Sequence, residues 1–144
     1  LSARCALGRI GETPEQCTSR YGESIKTGED KSMIFKKSGL LIMVDFYDGK
    51  ADMINFSKAQ RNILGKAEKL SENEIQTLLK SNGADRTWKK RDILSMNEEW
   101  ETEDGVLLAH LESLENFLIV TTKDHMTRAE AKKKQKEDKN LGGF

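Results

Sequence analysis

Two cysteines, Cys5 and Cys17, and two histidines, His110 and His125, are the side chains of this 144-residue chain best suited to nucleophilic or metal chemistry. A Cys–His nucleophile needs the base beside the thiol and a third group to orient it. The spacing supplies neither: His110 falls inside an apolar run, and His125 follows the last such run at a helix entrance. Structural zinc asks for two pairs of closely spaced ligands, so no metal is expected. Asp45, Asp48 and Asp52 lack the glycine and terminal glutamate of a calcium loop. Gly8-Arg9-Ile10-Gly11 has neither the spacing nor the preceding strand of a phosphate-binding fingerprint. No cofactor is expected. The acids around Glu98, Glu99, Glu101, Glu103 and Asp104 read as solvated surface, and the chain reads as non-enzymatic, an unrecognised hydrolase being the outside alternative.

Recognition chemistry is better represented. Met43, Tyr47 and Met53 fall on strand positions turned away from the apolar parity, and Trp88, Trp100 and His110 stand close to the second set of strands. Exposed aromatics and methionines favour binding surfaces, while loop or core packing is the competing role for both tryptophans. A groove near the tryptophans would suit a small ligand, the second functional reading.

Charge narrows the partner. The 24 basic and 24 acidic residues give a formal charge of +0, whereas obligate partners of nucleic acid or anionic membrane carry a basic excess. Lys132, Lys133, Lys134, Lys136 and Lys139 form a local patch without interleaved aromatics, and read as a solvated helix face. Leu40 to Val44 is the longest nearly apolar run, far below the ~20 residues of a membrane span. Cys5 and Cys17 are either one bridge or two ordinary thiols; a bridge would favour a secreted or periplasmic chain over a cytoplasmic one.

These residues need elements to hold them. Thr13-Pro14-Glu15-Gln16, Ser71-Glu72-Asn73-Glu74 and Thr127-Arg128-Ala129-Glu130 each place a hydroxyl before a helix and an amide or acid three residues later. Gly22 and Gly83 stand where the first two helices should stop. Apolar runs follow each: Met33–Phe35, Leu40–Tyr47 and Ala51–Ser57, then Glu99–Glu101, Val106–Ser113 and Phe117–Thr122. Asp48-Gly49 and Asp104-Gly105 mark hairpins between them.

The spacing predicts an α+β chain of two tandem helix-then-antiparallel-strands repeats, about residues 10–58 and 71–125, forming one mainly antiparallel sheet with helices on one face. A Lys-rich helix over 126–140 closes the chain. Trp88 to Glu98 reads as an insertion in the second copy, and Ser57 to Leu70 as a short helix plus linker. Leu40, Ile42, Val44 and Phe46 should be inward, with Ile54 and Phe56; in the second copy Leu107, Ala109 and Leu111 are the inward set. The inward parities disagree relative to Gly39 and Gly105, which calls for a bulge or slip.

Ile10-Gly11-Glu12-Thr13-Pro14-Glu15-Gln16, then Arg20-Tyr21-Gly22 and a hairpin at Asp48-Gly49, resembles a recurring bacterial envelope module. It is similar to the repeat unit of beta-lactamase inhibitory protein and to the small lipoprotein of the outer-membrane barrel-assembly machine. The resemblance implies an exported, non-enzymatic protein that offers its sheet face or loops to another protein.

Overall fold

The computed structural model describes residues 10–28, 31–92, 94 and 96–142. Its first helix, α1 (Pro14–Tyr21), starts as its capping box requires: the Thr13 hydroxyl accepts from the Gln16 N–H at 3.2 Å, and the Gln16 side chain accepts from the Thr13 N–H at 2.9 Å. Two of the N–H groups that a first turn leaves without intrahelical partners are thereby satisfied. Gly22, at φ 92°, ends it. The second helix, α2 (Glu72–Gly83), begins with the same reciprocal pair, Ser71 and Glu74. Here the left-handed residue is Ala84 at φ 53°, while Gly83 stays in the helix.

The third helix, α3 (Lys123–Leu141), starts earlier than expected. The preceding strand runs straight into it, and Thr122, still extended, caps it by accepting from the His125 N–H at 3.0 Å. The Thr127 hydroxyl instead donates to the Lys123 carbonyl at 3.1 Å, inside the helix.

Eight strands form one sheet: β1 (Lys26–Thr27), β2 (Met33–Lys37), β3 (Leu40–Tyr47), β4 (Lys50–Lys58), β5 (Trp88–Arg91), β6 (Glu98–Thr102), β7 (Leu107–Glu112) and β8 (Phe117–Thr122). Their order is β1-β2-β3-β4-β8-β7-β6-β5, and every pairing is antiparallel. The chain is an α+β fold.

Three local expectations change. The supposed insertion contains β5, an edge strand whose Lys89, Lys90 and Arg91 reach Glu103, Glu98 and Glu99. Charged side chains suit an edge that must not pair further, and they also hide the strand from a hydrophobic pattern. The segment 57–70 contains no helix: Asn62 Oδ1 accepts from the Leu64 and Lys66 N–H groups, and Arg61 bridges Ala67. Ile63 and Leu64 are exposed at that turn. The parity conflict resolves in turn length, since two residues, Ser38-Gly39, join β2 to β3 whereas residues 103–106 join β6 to β7. A bulge does occur, elsewhere. Asp45 pairs Met53 and Phe46 pairs Ala51, leaving Asp52 unopposed.

Ile42, Val44, Ile54 and Phe56 are inward as the alternation predicted, and in the second copy Ala109 takes the inward side. Phe35, Leu118 and Val120 join them on the sheet side of the core, and Cys17, Ile75 and Leu79 close it from α1 and α2. Each of the larger side chains contributes roughly 1.5–3 kcal/mol by burial. Cys5 lies outside the described residues, so the choice between one bridge and two thiols stays where the sequence left it; Cys17 is fully buried.

Candidate functional site

Register places the outward side chains in rows that run across the sheet. Ile34 pairs Met43, Met43 pairs Asn55, Asn55 pairs Ile119, Ile119 pairs His110, His110 pairs Glu99, and Glu99 pairs Arg91. One transverse row therefore crosses seven strands, apolar at Ile34 and Met43 and charged at Glu99 and Arg91. His110 Nδ1 stands 3.3 Å from Glu99 Oε1, and Arg91 reaches the other oxygen of that carboxylate at 3.4 Å. Met43 and His110, distant in sequence, are thus brought to one surface.

Neighbouring rows extend the apolar part. Leu41 pairs Ser57, which pairs Phe117, and Asp45 pairs Met53, which pairs Thr121 and then Leu108. Ile34, Leu41, Met43, Asn55 and Phe117 line an open groove of about 370 Å³. Beside it, Leu108, His110, Ile119 and Met126 of α3 line a second hollow of about 340 Å³. Apart from the exposed Met126 these side chains are half-buried and outside the inward core cluster, two members of which, Trp100 and Ala109, also border the second hollow.

Both tryptophans lie on the opposite parity. Trp100 pairs Ala109 and is 5 % exposed within the core, with Lys90 Nζ 5.9 Å from its ring. Trp88 is half-buried, and its Nε1 donates to the Leu79 carbonyl at 2.7 Å, tying β5 to α2. Its contacts are those of a staple, and neither ring joins the Met43 row.

Tyr47 belongs to a third place. The Arg128 guanidinium lies 3.6 Å from the centre of its ring, and Arg128 also donates to Asp52 Oδ2. His125 Nδ1 approaches the same oxygen at 3.2 Å, and the Thr121 hydroxyl donates to the Asp52 carbonyl at 3.3 Å. Asp52 is 7 % exposed. The bulge leaves Asp52 unopposed on β3, and Ala51 and Asp52 are buried in succession there. A cleft of about 240 Å³ adjoins the cluster, lined by Asp45, Tyr47, His125, Arg128 and Lys132 among others. Its lining contains no serine, threonine or cysteine to act as a nucleophile beside His125. What the cluster does is fix the first two turns of α3 to the β3–β4 hairpin.

From the sequence, Asp52 reads as a failed calcium ligand, and His125 as a helix-entrance residue after a nucleophile's base and a metal ligand are set aside. The partners of Asp52 are some seventy residues away, and a bulge leaves no spacing signature. Among the described residues no group of three or more His, Cys, Asp or Glu side chains is disposed to hold a metal. No helix among them is long and apolar enough to cross a membrane.

No protein-family model matches the chain, and no curated protein matches its sequence. Among solved structures, a cysteine-rich secretory protein from Staphylococcus aureus subsp. aureus Mu50 is similar at a TM-score of 0.44 and 12% identity. The match covers 81% of this chain and 44% of that one, so the chain spans less than half the length of that protein.

Proposed function

We propose that this chain is an exported, non-enzymatic recognition module whose outward sheet face receives another protein. One observation carries the reading: Ile34, Met43, Met53, Phe117 and Ile119 lie on the outward side of the middle strands, outside the core cluster, with Asn55 and Ser57 among them on β4. Apolar side chains gathered on an outward face in this way support a contact surface. The groove is shallow and wide, which suits side chains of a protein better than an enclosed small molecule. Charged residues at one end, Glu99, His110 and Arg91, would fix the direction in which a partner lies.

The architecture behind this face is, in our reading, two repeats. Each begins with a capping box and continues as four consecutive antiparallel strands, and the last strands, β4 and β8, pair with each other. Phe35 and Trp100 hold corresponding inward positions on β2 and β6. The first two helices lie together against the inward face. Export rests on the resemblance and on the Cys5–Cys17 pair.

The test is a photoreactive amino acid placed at Met43, Ile119 or, as a control, the exposed Gln76 of α2, in cells of the source organism. Adducts from Met43 and Ile119 but not from Gln76 are expected, in the secreted or envelope fraction. Equal adducts from all three positions, or none from the sheet, would remove this reading. Resistance of both cysteines to alkylation in denaturant without reductant is the accompanying expectation.

A further inference from the structure

The third helix lies against the opposite side of the sheet from the other two. Its Met126 borders the hollow at Leu108, His110 and Ile119, and its His125 and Arg128 border the cleft at Asp45 and Tyr47. Those sheet residues all have the outward parity, whereas Cys17 of α1 and Ile75 and Leu79 of α2 join the core cluster. Thr121 shows the overlap. It stands between Met53 and Leu108 in an outward row, and both of those are half-buried, yet Thr121 is 4 % exposed. α3 begins two residues later, and Thr121 and Met126 border the same hollow.

What holds the helix there is polar and confined to its first two turns. Arg128 donates to Asp52 Oδ2, and His125 Nδ1 lies 3.2 Å from the same oxygen. The Arg128 guanidinium also lies 3.6 Å from the centre of the Tyr47 ring. No residue of α3 is buried, and only His125 and Arg128 are half-buried. From Ala129 to Leu141 every residue is exposed. A helical segment of that length is marginal in water without packing, so it depends on the anchor at its start.

We propose that α3 is a strap on the recognition face, docked through Asp52 in this structure and released when a partner takes the surface beneath it. The inference rests on the recognition reading of that face. A partner lying across β8 and β7 meets Leu108, Ile119 and Thr121, where Met126 stands while α3 is docked. It therefore prefers the released form, and such a difference in affinity is what lets binding shift an equilibrium. With the strap docked, apparent affinity falls by the fraction of chains that are released. Moving elements are drawn from the least buried parts of a fold, and α3 is the helix with nothing buried. Release leaves the sheet unbroken, because the joint is Thr122, still extended at the end of β8.

The experiment compares the full chain with Arg128→Gln, which loses the links to Asp52 and Tyr47, and with Lys134→Gln, which removes a cation of the same helix beyond the anchor. Thiol labelling at Leu108→Cys in each chain, located by peptide mass, reads release directly. Its rate should rise about tenfold (~1.4 kcal/mol) in Arg128→Gln and less than about twofold in Lys134→Gln. Hydrogen exchange at residues 54–56 should not change, which separates release from unfolding. Tyr47→Leu removes the ring beside Arg128 but leaves Asp52 in place, and should raise the rate in the same direction. A photoreactive residue at Met43, which borders neither hollow touched by α3, reads the partner in cells of the source organism. Its adducts should increase about threefold in Arg128→Gln. A labelling rate that neither Arg128→Gln nor Tyr47→Leu raises, or adducts of equal yield with and without Arg128, would overturn the strap alone. Adducts absent from every chain would remove the recognition reading, and the strap with it.

Discussion

Gly83 and Trp88 share a space that holds only one of them in full. A Cβ on Gly83 would lie 2.6 Å from Trp88 Nε1, the atom that donates to the Leu79 carbonyl. Helix propensity alone would make Gly83→Ala stabilising by roughly 1 kcal/mol. Contact reverses the sign, because the indole is hydrogen-bonded and packed against the core. Gly83→Ala should therefore lower stability by about 1–3 kcal/mol, read as a drop in urea midpoint with a change in tryptophan emission.

Asp52 holds α3 to the hairpin. Asp52→Asn keeps the volume but removes the charge that Arg128 and His125 meet. A loss of about 1–3 kcal/mol is expected, concentrated in α3. Hydrogen exchange should quicken at the amides of residues 123–130, with β3 and the inward half of β4 protected as before.

Successive residues of β4 test which face is covered. Ile54 is fully buried, and Ile54→Ala should cost about 2–5 kcal/mol. Met53, one position earlier, faces outward among half-buried neighbours. Met53→Ala should cost less than about 1 kcal/mol. Urea midpoints of the two variants decide it.

Acid should weaken the fold through two carboxylates. Burial pushes the Glu74 carboxyl up, and this is its largest single influence. The Ser71 N–H and hydroxyl together with the Lys58 ammonium outweigh it, holding Glu74 below its ordinary value of 4.5. Donation from the Thr102 hydroxyl, then from the Val106 N–H and Arg86, holds Asp104 below its ordinary 3.8. A folded value below the unfolded one means that the stabilisation is complete above the unfolded value and is lost as pH falls through the folded one. Stability should hold from neutrality to about pH 5 and decline below ~4.5. The decline should be shallower in Glu74→Gln and Asp104→Asn, measured as urea midpoint against pH.

Much of the fold was legible because it is written in local chemistry. Thr13 with Gln16 and Ser71 with Glu74 announce helices through spacing alone, and Leu40, Ile42, Val44, Ile54 and Phe56 announce their face through alternation. β5 was not legible, since Trp88-Lys89-Lys90-Arg91 draws its strand character from pairing with β6 and from glutamates across the hairpin. Nor was the start of α3. The spacing pointed to Thr127 as the cap, and only the run of β8 directly into the helix puts Thr122 there instead. Of the binding residues, Met43 and Met53 were readable as outward by parity, while His110 was not, because the parities of the two copies conflicted at Gly39 and Gly105. Trp100 was misleading because its size suggests recognition while its register with Ala109 buries it. The Asp52 cluster required a bulge and a contact across some seventy residues, neither of which composition or period records.

β8 is the last strand made and it sits at the middle of the sheet, hydrogen-bonded to β4 on one side and β7 on the other. Until residues 117–122 emerge, the two meanders have no common seam, and the inner edge of each is bare main chain beside Ile54 and Phe56 or Ala109. Growth of the polypeptide therefore leaves both halves adhesive until near its end. A chain cut short before Phe117 should collect in aggregates rather than survive as half a protein.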